Sequence, residues 1–278
     1  MLKIPKLLFG PSSIPYSSPK QETCEGIKQV KRLGLGNMEL GWVQGVKLSE
    51  EKAKLIKKMG EDENIILTAH GSYFINLNAQ EESKLEASKN RLIANARDMH
   101  KCGGYGVAFH PAFYMKQDSK KVFENVKNAM KEVIQEVKDN KYDVWIRPEV
   151  TGKISQFGTI FELVDLCAEL DQSLPVIDWA HQHSRTHQYN TYEEFRKMLE
   201  YYEKVLGKEA IKNMHCHIEG IEYNQTGERN HLNLNDSDMN WKDILRAMKE
   251  FGCSGVIVSE SPNQEDDAML MKKFYENL

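Results

Sequence analysis

Ile65-Ile66-Leu67-Thr68-Ala69-His70-Gly71-Ser72-Tyr73 is a short uncharged run that stops on an imidazole and a glycine. Such a run suits a strand buried on both faces, as in a parallel sheet covered by helices. The same figure recurs outward in both directions. Residues 6–9 and 37–40 precede it, and residues 106–109, 144–147, 174–177, 213–216 and 255–259 follow. Longer amphipathic stretches lie between these runs, at residues 82–100, 119–139, 160–170, 191–205 and 241–251. The first of them is rich in Ala, Glu, Lys, Leu and Arg, all strong helix formers. With residues 65–69 the runs number eight. Strands that alternate with helices in this way predict an α/β fold, a single (β/α)8 TIM barrel over residues 1–278. The competing open, doubly wound sheet lacks its usual signatures, G-x-G-x-x-G or a Walker segment.

The composition fits a water-soluble enzyme, with 40% hydrophobic and 28% charged residues. No apolar run approaches the ~20 residues of a membrane span. Residues 1–18 lack a secretory pattern, so a cytoplasmic location is expected. Cys24, Cys102, Cys167, Cys216 and Cys253 are scattered and never form C-x-x-C, which argues for reduced, packed thiols.

Active sites of such barrels sit at the C-terminal ends of the strands. Here six successive strands run into His70, His110, Glu149, Asp178, the pair His215/His217, and Glu260. Any one of these alone would read as a packed imidazole or a helix cap. Together they would converge on one axis, where buried carboxylates and imidazoles are costly without cations between them. Mixed imidazole and carboxylate donors suit zinc, manganese or iron. His181 follows Asp178 in a D-x-x-H step and could serve a separate ion. His215 and His217 have the period-two spacing that puts both on one strand face. His215 is taken as the ligand, with His217 as a second ligand or an orienting neighbour. His231 lies on the loop after strand 7, with Glu228 nearby. His183 and Arg185 are candidates for substrate or phosphate contact. The lysines at 28–32 and 116–121 read as solvated charges, His100 as a partner of its helix dipole, and Tyr201-Tyr202 as packing.

His70-Gly-Ser72-Tyr73-Phe-Ile75-Asn-Leu77, Phe-His110-Pro, the strand-5 Glu149, Ile-Asp178-x-x-His181, Met-His215 and the strand-8 Glu260 carry a resemblance over nearly the whole chain. The sequence resembles endonuclease IV, the abasic-site endonucleases of the xylose-isomerase-like barrel superfamily. The segment Glu149-Val-Thr-Gly-Lys-Ile-Ser-Gln-Phe-Gly158 has the form of archaeal-type members. The resemblance implies three ions, usually zinc. His70, His110 and Glu149 would hold the first. Glu149 would bridge to a second held by Asp178, His215 and Glu260. His181 and His231 would hold the third with an acidic loop residue. It implies hydrolysis of the phosphodiester 5′ to an abasic nucleotide, leaving a 3′-hydroxyl and a 5′-deoxyribose phosphate, with Glu149 positioning the nucleophilic water. It also implies duplex DNA with abasic or damaged sites as partner, a monomeric protein, and Tyr73 wedged into the duplex.

Two segments depart from that pattern. The usual Asp-Arg-His loop reads Glu228-Arg229-Asn230-His231, one residue longer. Aligning on the histidine keeps His231 and leaves Glu228 as the acid; aligning on the acid puts Asn230 in the imidazole position. The strand-2 loop, Gly41-Trp42-Val43-Gln44-Gly45, lacks Asn/Arg-rich character, and Trp42 or Gln44 would substitute there or simply pack. The net charge of −4 opposes a DNA substrate. Three divalent ions add six positive charges, taking −4 to +2. Two other readings compete. A single-metal sugar isomerase or epimerase of the same superfamily would need only Glu149, Asp178, His215 and Glu260, leaving the other histidines unexplained. A protein that binds lesions without cutting would fit the altered loops.

Overall fold

The computed structural model describes residues 3–46 and 48–278. Its eight parallel strands are β1 (Leu7–Pro11), β2 (Asn37–Gly41), β3 (Ile66–His70), β4 (Gly106–Phe109), β5 (Trp145–Pro148), β6 (Val176–Asp178), β7 (Met214–Ile218) and β8 (Gly255–Ser259). Helices Thr23–Arg32, Glu50–Glu63, Glu82–Lys101, Ser119–Asp139, Ile160–Ala168, Tyr192–Leu206, Trp241–Glu250 and Glu265–Glu276 follow them. The strands form two hydrogen-bonded arcs, β6-β7-β8-β1 and β2-β3-β4-β5. Two seams close the ring. At one, Gly36 N donates to Phe9 O at 2.9 Å. Gly10 makes this approach possible: a Cβ there would sit 1.7 Å from Asn37 O. At the other, Ile146 N donates to Gln172 O and Val150 N donates to Val176 O, both at 3.1 Å. The result is the expected barrel.

The outward residues of the strands, such as Met38, Leu67, Val107, Ile146, Ile177 and Cys216, are buried against the helices. The residues between them point to the axis, and there the interior turns polar: Glu39, Thr68, Arg147 and His215 are fully buried. Local chemistry sets the helix starts. Asp118 accepts from Lys120 N and Lys121 N, and Thr159 with Glu162 forms a capping box. His100 Nδ1 accepts from Asp143 N, and Tyr202 is buried in the core. All five cysteines are unpaired. Among the described residues, no helix is long and apolar enough to cross a membrane.

Three insertions build the rim above the C-terminal strand ends. A short helix, Trp179–Thr186, follows β6. An antiparallel ribbon, Gly220–Asn224 with Gly227–Leu232, follows β7. A two-residue pair joins Ala112–Phe113 to Gln156–Phe157.

Candidate metal centre

Glu149 leaves β5 and stands at the centre of the strand ends, fully buried. Its Oε2 lies 2.9 Å from His70 Nε2, at the end of β3. Its Oε1 faces three more imidazoles: His110 Nε2 at 3.3 Å, His217 Nδ1 at 3.4 Å and His181 Nδ1 at 3.6 Å. One carboxylate is thus shared by donors from β3, β4, β7 and the helix after β6. Among the described residues five overlapping groups have ligand atoms within 4.8 Å of one another: His70, His110 and Glu149; Glu149, Asp178, His217 and Glu260; His181, Glu228 and His231; Asp178, His181 and Glu219; and, one layer deeper, Glu39, His215 and His217. Asp178 helps set the third group, because its Oδ1 caps the short helix by accepting from His181 N at 2.6 Å.

The ring orientations share one device. His70 Nδ1 donates to Gly71 O, His181 Nδ1 to Val150 O and His231 Nδ1 to Glu260 O, at 2.9, 3.0 and 3.2 Å. Holding the proton on Nδ1 leaves Nε2 as a lone pair. In all three rings that atom faces the candidate ligands. His181 Nε2 and His231 Nε2 then stand 3.4 Å apart, with Glu228 oxygens 3.5 and 3.8 Å from them. Two lone pairs and a carboxylate turned towards one another call for a cation.

The same test holds deeper in. Despite close ion-pair contacts, Glu149 Oε2, Asp178 Oδ2 and His217 Nδ1 are buried without a hydrogen bond. Each unmet buried group costs about 1–3 kcal/mol. Borderline divalent ions fit this donor set of imidazole and carboxylate. A cavity of about 270 Å³ opens above it, lined by His70, Tyr73, His110, His181, Glu228 and His231.

Without metal, protons replace cations. Burial pushes the Glu149 carboxyl up, but the charges of His217, His70 and His110 hold it well below the usual range. Burial pushes His70 down, but the Glu149 charge and hydrogen bond outweigh it and hold the imidazole at about 9. Metal uptake at pH 7 is therefore expected to release protons, and apparent affinity should rise with pH up to about 9. Calorimetry in buffers of different ionisation enthalpy reads the proton count, and a count of zero would contradict this protonated state. In chelated protein the His70–Glu149 pair stabilises the fold fully between pH 4.5 and 6.5; the contribution fades as the pH rises through about 9 and, on the acid side, as the pH falls below 4.5 and Glu149 takes up a proton.

A family model described as the xylose isomerase-like TIM barrel matches residues 27–277. The chain belongs to the xylose isomerase-like TIM barrel family. The uncharacterized protein MJ0133 of Methanocaldococcus jannaschii is 42% identical over 98% of both chains. Apurinic-apyrimidinic endonuclease 1 of Plasmodium berghei is 24% identical over 60% of this chain and 34% of its own length. Among solved structures, endonuclease IV from Thermus thermophilus superposes with TM-score 0.75 at 17% identity, over 99% of this chain and 100% of that one. A D-psicose 3-epimerase does so with TM-score 0.68 at 16% identity, over 95% and 98%. At such identities the two structures share the fold.

In this xylose isomerase-like barrel the structure separates the two strand-7 histidines: His215 falls in the deeper group with Glu39. His217, not His215, joins Glu149, Asp178 and Glu260. Register is the reason. His217 pairs with Asp178 across the β6–β7 ladder, whereas His215 pairs with Val176, one layer deeper in the barrel. There His215 Nε2 contacts Glu39 Oε2 at 3.1 Å. The longer strand-7 loop resolves in favour of Glu228 with His231. A bulge pairs Glu222 with Asn230 but Tyr223 with Glu228, so the ribbon absorbs the extra residue at Arg229. Asn230 is exposed and bonds Glu222 instead.

Two other expectations are corrected. His183 is buried, with Nδ1 donating to Gln188 O at 2.9 Å and its ring against Tyr223. Arg185 is buried too, bonded to Thr151 O and Gln156 O, both at 3.0 Å. Both turn inward because their helix is covered by the ribbon on one side and the residue-151 loop on the other. They brace the rim and do not face the cavity. Trp42 packs partly buried against the core, while Gln44 is exposed. Tyr73 is 60% exposed, with its ring edge-on to His70 at 5.4 Å.

Sequence reading missed two acids. Glu219 is buried beside Asp178 and His181, both oxygens without a hydrogen bond. Burial and the charges of Asp178 and Glu260 push its carboxyl well above the usual range. Glu39 lies mid-strand between the core residues Met38 and Leu40, and that break in an apolar run was its available signal.

Gly152 makes room for the third donor group. A Cβ there would meet Glu228 Cβ at 2.6 Å and His181 Cδ2 at 2.8 Å. Gly152→Ala is therefore expected to lower the number of divalent ions taken up by one with the fold intact, read by metal analysis and circular dichroism. An unchanged ion count would contradict the grouping of His181, Glu228 and His231.

Proposed function

We propose that the protein is a cytoplasmic, monomeric DNA-repair endonuclease that hydrolyses the phosphodiester 5′ to abasic sites in duplex DNA, leaving a 3′-hydroxyl and a 5′-deoxyribose phosphate. One observation carries this reading: beside the Glu149, Asp178, His217 and Glu260 group that a one-ion site would need, His70 with His110 and His181 with Glu228 and His231 form further donor groups at the same strand ends. The similarity to the Plasmodium berghei apurinic-apyrimidinic endonuclease supports it.

His70 and His110 with Glu149 would hold one zinc ion. Asp178, His217 and Glu260 would hold a second, with Glu149 bridging, and His181, Glu228 and His231 a third; manganese or iron are alternatives. Such ions supply positive charge to a phosphodiester in displacement and make water nucleophilic at neutral pH. Glu149, in contact with histidines from all three groups, sets the spacing on which this depends. Lys153 lines the same cavity and offers a cation to the DNA backbone.

Tyr73 stands at the mouth, mostly free of the core. It would fill the gap left by the missing base. Stacking on an aromatic is worth about 1–3 kcal/mol per base. Tyr73→Ala is expected to weaken binding to an abasic duplex by roughly tenfold or more relative to intact duplex, with unchanged melting temperature, by fluorescence anisotropy. Equal losses on both duplexes would remove Tyr73 from lesion recognition.

A second reading has a specific observation behind it. The Glu149, Asp178, His217 and Glu260 group could serve alone in a sugar epimerase, as the likeness to the D-psicose 3-epimerase barrel suggests. The deciding experiment incubates purified protein with a labelled duplex carrying one abasic site, and separately with D-fructose, each before and after chelation. Metal-dependent cutting on the 5′ side supports the endonuclease. Isomerised sugar without cutting supports the epimerase. Tight lesion binding with neither activity after zinc or manganese is restored supports a lesion-binding protein.

A further inference from the structure

Below the metal centre, on the barrel axis, lies a second polar layer that the proposed chemistry does not use. Glu39 occupies its middle, fully buried on β2. Its Oε2 accepts from Thr68 Oγ1 at 2.8 Å and contacts His215 Nε2 at 3.1 Å. Its Oε1 contacts His217 Nε2 at 3.1 Å. The opposite atom of that same ring, Nδ1, faces Glu149 at 3.4 Å, Glu260 at 3.7 Å and Asp178 at 4.0 Å.

His217 differs here from its neighbours. His70, His181 and His231 each give Nδ1 to a backbone carbonyl, and a carbonyl accepts only a proton; at His181 the Asp178 Oδ2 oxygen lies 2.9 Å from the same atom and favours the same tautomer. The backbone therefore decides their tautomer. His217 points the other way round and has no such carbonyl; the acceptor beside its Nε2 is a carboxylate. A neutral imidazole carries one proton. If that proton sat on Nδ1, it would bond Glu149 or Glu260, and the ring would offer the centre no lone pair. If it sits on Nε2, Glu39 accepts it and Nδ1 is free.

We infer that Glu39 is a positioning residue that keeps the His217 proton on Nε2, turning Nδ1 towards the Glu149–Asp178–Glu260 group, with His215 and Thr68 holding the Glu39 carboxylate from its other side. This rests on the metal-centre reading above. It also gives His215 a role: it supports the layer beneath the ligands. A carboxylate behind a ligating histidine fixes ring orientation and raises donor strength, and removing one typically costs roughly 10–100-fold in metal affinity.

Two measurements on the full chain test it. The first is the ¹⁵N spectrum of the histidine rings in zinc-loaded wild type. The expected pattern for His217 is a protonated Nε2 and a zinc-shifted Nδ1, with no zinc shift at His215. The second is zinc affinity, by competition with a chromophoric chelator, for wild type and Glu39→Gln. One zinc equivalent should weaken roughly 10–100-fold while the others hold their affinity. Zinc on His217 Nε2, zinc on His215, or unchanged affinities in a folded Glu39→Gln would each overturn the positioning role and leave the metal centre standing. Wild type that takes up no zinc would overturn the metal-centre reading itself. If Glu39→Gln does not fold, the wild-type ring spectrum decides alone.

Discussion

Glu149→Gln is expected to lower metal-dependent cleavage of an abasic duplex by about 10³-fold or more, roughly 4 kcal/mol of barrier. Glu149 is within 3.6 Å of four imidazoles, and each of its oxygens serves a different set. Glutamine has the same shape but offers one carbonyl oxygen and an NH2 group, which repels a cation as it repels an imidazolium. The change should therefore loosen two donor groups at once. Metal analysis should show fewer zinc equivalents in the variant, and circular dichroism an unchanged fold. The fold survives because the imidazoles can shed their protons when their counter-charge goes. Cleavage within tenfold of wild type at full zinc content would remove Glu149 from the centre of the mechanism.

His217→Ala and His215→Ala should split, although they differ by two positions on one strand. His217→Ala is expected to lose one zinc equivalent and about 10²–10³-fold in cleavage, comparable to deleting a group that meets developing charge directly. His215→Ala should keep its zinc complement and lose about tenfold or less, acting only through Glu39. Its larger effect should be on stability. Removing the ring leaves a cavity in a fully buried layer and takes one partner from Glu39, a cost of about 1–3 kcal/mol. Thermal melts beside rates measured well below the melting range keep the two effects apart. The reverse pattern, with His215→Ala losing zinc and His217→Ala keeping it, would return the ligand role to His215.

The same pair shows what a linear reading can and cannot carry. Both histidines share strand parity, so both point inward, and nothing local tells them apart. The choice is made by β6, whose Asp178 lies opposite His217 in the ladder. Glu39 was hidden for a related reason: its partners come from β3 and β7, 29 positions away in the case of Thr68. His183 and Arg185 looked like rim residues because they follow the ligands in sequence. A helix turn and a covering ribbon send them into the packing instead.

The eight-strand alternation, the barrel and the placing of candidate chemistry where strands end are all legible in the linear order of residues. Buried parallel strands demand uninterrupted apolar runs, so an imidazole or carboxylate closing such a run stands out. That order was enough to nominate His70, His110, Glu149, Asp178, His181 and Glu260, because each sits at a chain exit whose direction the fold dictates. Tertiary packing separates residues equal in local pattern: it sets His217 beside Asp178 and His215 beside Val176, brings Glu228 to His231 across a bulge, and puts Glu39 against His217. Those choices depend on inter-strand register and on the height of each layer along the barrel axis, which arise only when distant strands close into one ring.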